Sequence, residues 1–115
     1  MIRHTMALLA ALLLGACASD PAPSQQMRLS EQALEQARSV VGADAAALEA
    51  ATAGLAAAQD AYAREDYRAA RMLAERAELD ARLVEAQALT GKSRSQLAEL
   101  RSRIAGLRQQ LGELP

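Results

Sequence analysis

From Met27 onward the chain contains no proline until Pro115, and apolar residues recur through that stretch at spacings of three and four. Proline is the strongest helix breaker, and three-four spacing lines one side of a helix of 3.6 residues per turn, so the stretch reads as a succession of α-helices. Composition reinforces this, because 29 of the 115 residues are Ala and 18 are Leu, both strong helix formers. Phe and Trp are absent and Tyr occurs twice, which removes the aromatic bulk that compact β cores and base-stacking surfaces depend on. The expected fold class is all-α: an Ala-rich helical hairpin or three-helix arrangement with a long C-terminal coiled-coil-like helix.

The N-terminus obeys a different logic. Arg3 and His4 precede an unbroken apolar run from Met6 to Leu14, which leads into Gly15, Ala16 and Cys17. That run of nine residues is less than half of the roughly 20 that a helix needs to cross a bilayer, and its basic flank and small-residue end are those of a secretory signal peptide. Leu14-Gly15-Ala16-Cys17 resembles the lipobox of bacterial lipoproteins. Small side chains let a membrane peptidase approach the backbone, and the Cys17 thiol is the nucleophilic atom that diacylglycerol joins through a thioether. Cys17 is the single cysteine, so no disulfide within the chain competes for it. Such lipoproteins carry two or three acyl chains, which hold a protein stably where one is marginal. Pro21 and Pro23 among small polar residues make 18–26 read as a flexible tether. In lipoproteins of this kind an Asp directly after the cysteine marks inner-membrane retention. Ala18 holds that position here, and the resemblance implies the outer membrane, periplasmic side. The expected layout is a signal peptide over 1–16, the lipidated Cys17 and tether over 17–26, an Ala-rich hairpin domain over 27–89 and a coiled-coil-like segment over 90–115.

Within the helical stretch, Ser30 is the expected N-cap of a first helix ending near Val41, with Leu34, Ala37 and Val41 on one face. Gly42 supplies a stop and Asp44 a new N-cap, although one bent helix from Met27 to Ala63 fits the same periodicity. Leu48, Ala51, Leu55, Ala58 and Tyr62 form the stripe of the second helix. A turn at Arg64-Glu65-Asp66 follows, with Asp66 capping a third helix from Tyr67 and the two tyrosines flanking the hairpin. That helix places Ala70, Leu73, Ala77, Val84 and Ala88 on one stripe and Met72, Leu79, Leu83 and Ala86 on an adjacent one, a broad face suited to neighbours on two sides. Gly91 sets either a kink or a passage within one rod on the order of 70 Å long. Beyond it Leu97, Leu100, Ile104, Leu107, Leu111 and Leu114 keep the three-four alternation of a coiled-coil seam, and the first five are the expected association residues. Ala-faced helices bury little apolar area per residue, so a marginal monomer is expected to gain stability by association through this seam, unless the seam folds back on the hairpin.

Catalytic raw material is scarce. His4 lies in the signal peptide and Cys17 is expected to be acylated, which leaves no usual base, nucleophile or soft metal ligand. No enzyme activity, cofactor, metal site or small-molecule substrate is expected. The carboxylates alternate with arginines, and Glu78 with Arg82 and Glu99 with Arg103 stand four apart in the favourable orientation. No glycine-rich phosphate loop occurs, and a net charge of -1 gives no footprint for nucleic acid. The distribution of charge says more. Residues 44–88 hold five Arg against nine Asp or Glu, whereas 92–113 hold five Lys or Arg against two Glu. Lys92, Arg94, Arg101, Arg103 and Arg108 suit an anionic surface, an acidic partner or the acidic hairpin of another copy, or simply keep the seam soluble.

The segment Leu73-Ala74-Glu75-Arg76-Ala77-Glu78-Leu79-Asp80-Ala81-Arg82-Leu83-Val84-Glu85-Ala86, preceded by Glu65-Asp66-Tyr67 and by the spaced alanines of Leu55 to Tyr62, resembles the DUF4398 family of small bacterial envelope lipoproteins over roughly 29–89. Some members are joined to an OmpA-like peptidoglycan-binding domain, for which this chain has no room. It also differs from the major murein lipoprotein, whose terminal basic residue is linked to the wall, because Pro115 cannot serve that purpose. The expected role is an outer-membrane-anchored periplasmic lipoprotein acting as a structural or adaptor module, held to the membrane through Cys17 and contacting a second copy or another envelope protein. The alternative is a non-catalytic binding module for an envelope polymer or lipid such as peptidoglycan or lipopolysaccharide.

Overall fold

The computed structural model describes residues 20–42 and 44–112, all-α with no strand among them. The signal peptide, the lipobox Leu14 to Cys17, Leu114 and Pro115 lie outside the described residues. The elements are α1 (Ser24–Val41), a 3-10 turn (Ala45–Leu48), α2 (Glu49–Ala63) and α3 (Tyr67–Gly112).

Helix α1 begins directly after Pro23, which takes the N-cap position, so the last residues of the expected tether are helical. Ser30 is therefore not an N-cap. It is buried within α1, and its hydroxyl donates to the Met27 carbonyl at 2.8 Å, which satisfies a polar group in a position too tight for a larger side chain. Gly42, at φ +64°, ends the helix with its N–H donating to the Arg38 carbonyl at 3.0 Å. Positive φ is cheap only for glycine, so the chain breaks here and the single bent helix is excluded. Asp44 restarts it, accepting from the Ala47 N–H at 3.3 Å through Oδ1.

The α2–α3 corner is a Schellman turn. The Asp66 N–H donates to the Ala61 carbonyl and the Glu65 N–H to the Tyr62 carbonyl, each at 3.0 Å, with Glu65 itself at φ +61°. Asp66 then caps α3, its Oδ1 accepting from the Ala69 N–H at 3.1 Å. The Tyr62 and Tyr67 rings meet across the corner, 5.5 Å between centroids and tilted by 59°.

Helices α1 and α3 run the same way, with Gln26 donating to Glu78 at 2.6 Å and, further along, Gln36 to Glu85 at 2.8 Å. Helix α2 runs against both, with Gln59 donating to Glu31 at 3.3 Å. The core between them is made mostly of alanine. Ala37, Ala58, Ala70, Ala74 and Ala81 are fully buried, with Leu34, Leu48 and Leu55 as the larger members. A Cβ built on Gly54 lies 3.3 Å from that of Ala77, so α2 and α3 approach about as closely as side chains permit.

Helix α3 has 46 residues and is about 69 Å long at 1.5 Å per residue. It continues through Thr90-Gly91-Lys92-Ser93, where the Thr90 hydroxyl donates to the Ala86 carbonyl at 2.7 Å. Its partners α1 and α2 accompany only its first half. From Leu89 to Gly112 every residue is exposed, so the C-terminal half projects roughly 36 Å from the bundle and does not fold back.

Candidate functional site: the outer face of the long helix

Helix α3 turns its small residues toward the body and most of its large ones outward. On α3 the buried positions are Ala70, Ala74, Ala77 and Ala81, flanked by the half-buried Leu73 and Val84. Met72, Leu79 and Leu83 are instead 62%, 67% and 56% exposed. Met72 is two residues from both Ala70 and Ala74, which is about 200° around a helix, so the two stripes lie on opposite sides. The expected arrangement of adjacent stripes with a neighbour on each is thus corrected: both neighbours sit on the alanine stripe, and Met72, Leu79, Leu83 and Ala86 face outward. Close helix approach favours the smallest side chains, and that is what selects alanine for the inner face.

The projecting segment carries the same outer face onward. Leu97, Leu100, Ile104, Leu107 and Leu111 are between 48% and 68% exposed and share one side of the helix. Counted backward from Leu97, the three-four alternation passes through Ser93, Thr90, Ala86, Leu83, Leu79 and Arg76 to Met72 without a slip. The structure therefore joins what the sequence presents as two features into one seam about 58 Å long, interrupted only by Arg76, Thr90 and Ser93. Monomeric soluble proteins rarely leave a contiguous apolar surface of this extent uncovered. The signal for it was present in the register, but the polar run Thr90 to Ser93 looks like a boundary when the helix is taken in pieces.

Charges surround the seam. Lys92, Arg94, Arg101, Arg103 and Arg108 are all exposed, and Arg103 pairs with Glu99 as the spacing predicts. On the body the predicted Glu78–Arg82 pair stands at 2.5 Å. The exposed Arg103–Glu99 pair contributes little and marks a solvated flank, whereas Glu78 is largely covered and also accepts from Gln26, tying α1 to α3. Among the described residues no three His, Cys, Asp or Glu side chains converge as metal ligands. A concavity of about 780 Å³ at the α1–α2 corner is lined by Leu48, Ala53 and Ala56 together with Glu49 and Thr52, and the cation in its lining, Arg38, is already paired with Glu35 at 2.7 Å. No described helix is long and apolar enough to cross a membrane.

These features define an Ala-packed three-helix protein whose last helix outruns its neighbours and presents an uncovered heptad seam. A crystal structure of a DUF4398 family protein from Pseudomonas aeruginosa PAO1 is 56% identical to it, covering 81% of this chain and 98% of that one with a TM-score of 0.76. The chain belongs to the DUF4398 family. No family model matches it, and no curated protein does.

Proposed function

We propose that this DUF4398 protein is an outer-membrane-anchored periplasmic lipoprotein that acts as a non-catalytic structural or adaptor module through helix-to-helix contacts. The observation that carries this reading is the exposed seam Leu97, Leu100, Ile104, Leu107 and Leu111 on a helix half whose residues are all exposed from Leu89 to Gly112. Burying a Leu side chain is worth about 1.5–3 kcal/mol, so five uncovered large residues in one line are a strong drive toward a partner. The anchor and the seam also stand apart. Residues 20–23 lie at the α2–α3 corner, where Arg71 donates to the Pro21 carbonyl at 3.4 Å, while the seam leads away from that end. A lipid on Cys17 would hold the base of the rod near the membrane and leave its length available to a partner.

The double substitution Leu100→Lys/Leu107→Lys tests the reading. Both positions are exposed, so the fold is expected to survive, with unchanged helical circular dichroism, while association in the intact envelope, read by chemical cross-linking, is lost. Cross-links that persist unaltered would remove the seam as the contact surface.

A further inference from the structure

We infer that the seam's partner is a second copy of this chain, docked antiparallel along the whole of α3 from Met72 to Leu111, with the acidic body of each copy against the basic projecting segment of the other. The inference rests on the proposed role of the seam as a contact surface and adds the identity and direction of what it contacts.

Extent argues for the full length. A stable interface of standard size takes about 20–30 residues a side. With its flanking positions, the projecting stretch from Leu97 to Leu111 offers only about ten, whereas the seam continued back to Met72 offers about two dozen. That longer seam is accessible, because Met72, Leu79 and Leu83 point away from α1 and α2.

Charge decides the direction. In a parallel pair in register, Arg76 faces the partner's Arg76 within the seam. On the flanks, Glu75 meets the partner's Asp80 and Arg103 meets the partner's Arg108, so like charges face each other at both ends. Turning one helix end for end removes all three conflicts. With Thr90 level with the partner's Ser93, the polar layer falls at the centre, Leu83 meets the partner's Leu100, and Leu79 meets the partner's Ile104. Arg76 then lies against the partner's Leu107, where its stem packs and its guanidinium reaches water. In this register Asp80 shares a flank with the partner's Arg101, within about 3 Å of its level along the axis; on the other flank Arg103 lies about 3 Å in level from the partner's Arg82, which Glu78 of its own helix neutralises at 2.5 Å, and about 8 Å from the partner's Glu75. Asp80 stands 3.9 Å from Arg76 of its own helix and Arg103 pairs with its own Glu99, but exposed pairs of this kind exchange at little cost. Along the seam itself residues 72–88 hold four Asp or Glu against two Arg, and 92–111 hold five Lys or Arg against one Glu, so this direction sets an acidic stretch beside a basic one. The two membrane-proximal ends then stand about 60 Å apart, one at each end of the rod, so a pair with both anchors in one membrane lies along its surface.

Disulfide cross-linking tests the arrangement. Leu83→Cys and Leu100→Cys are placed singly in the full chain, each in two differently tagged copies, and pairs are mixed and oxidised; the unsubstituted chain reports any background from Cys17. The expected result is a mixed-tag dimer from Leu83→Cys with Leu100→Cys and none from Leu100→Cys with itself, since those two sites lie about 26 Å apart in level. Self-linked dimers of each variant without the mixed product would indicate a parallel pair and overturn the inference. Sedimentation equilibrium of the full chain in mild detergent is expected to give a doubled protein mass, since apolar burial along the seam supplies the attraction and the flanking charges only its direction. A single-chain mass at every concentration would also overturn it. In that event, loss of an envelope cross-link in Leu100→Lys/Leu107→Lys would still uphold the seam as a contact surface, so the two readings fail separately.

Discussion

The inverted packing of α3 predicts that one substitution has opposite consequences on its two faces. Ala77 is 1% exposed, and a Cβ built on Gly54 across the α2–α3 contact lies 3.3 Å from its Cβ and 3.6 Å from its Cα. The second distance is to backbone, so the contact relaxes only if the helices separate. Ala77→Leu adds three carbons at this point, and overpacking of this kind typically costs about 1–3 kcal/mol. With a urea m-value near 1 kcal/mol/M, at the low end for small proteins, the unfolding midpoint falls by about 1–3 M. Ala86→Leu makes the same chemical change nine residues on, at an exposed position of the outer seam. Its effect on the monomer is expected to stay within about 0.5 kcal/mol, as for ordinary surface substitutions. The added methylenes, at about 0.8 kcal/mol each when buried, instead strengthen association. Urea titrations followed by circular dichroism at dilute and concentrated protein separate the two effects. An Ala77→Leu midpoint equal to that of the parent chain, with Ala86→Leu destabilised, would reverse the assignment of faces and with it the case for the seam.

Two further outcomes follow from local features. Glu65 occupies the left-handed C′ position at φ +61°, where an L side chain costs about 1–2 kcal/mol, while glycine gives back about 0.4–1 kcal/mol through the entropy of its unfolded chain. Glu65→Gly is therefore expected to stabilise the protein by roughly 0.5–1 kcal/mol, seen as a higher urea midpoint, and a lower midpoint would show that Glu65 is held by something other than the turn. Cys17→Ser is expected to abolish incorporation of labelled fatty acid and to release the chain from the membrane fraction, and continued labelling would remove Cys17 as the lipid site.

Much of the fold was legible because its boundaries are chemical. Gly42 needs a positive φ, Asp44 and Asp66 have carboxylates spaced to accept from the N–H three residues on, and each does so. The pairs Glu78–Arg82 and Glu99–Arg103 followed from i,i+4 spacing in the same way. Ser30 misled because serine before an apolar run resembles an N-cap, whereas its hydroxyl here closes on the carbonyl of Met27 within the helix. Pro23 misled in the opposite sense: it suits an unstructured tether, yet its fixed φ also suits the position just ahead of a first turn.

The candidate site was half legible for a deeper reason. Hydrophobic periodicity assigns the larger side chains to the interior, and on most helices that is correct, since burial scales with apolar area. Here helix separation sets the inner face. Where Gly54 meets Ala77 there is no space for a leucine, so the stripe Ala70, Ala74, Ala77 and Ala81 goes inside although it is the less hydrophobic of the two. Leucine, methionine and isoleucine are then left for the outer face, where their area is useful only to a surface brought from elsewhere. Helix α3 thus divides its two periodicities between two tasks: the small stripe makes the fold within one chain, and the large stripe, in register over its whole length, is kept for a contact between chains.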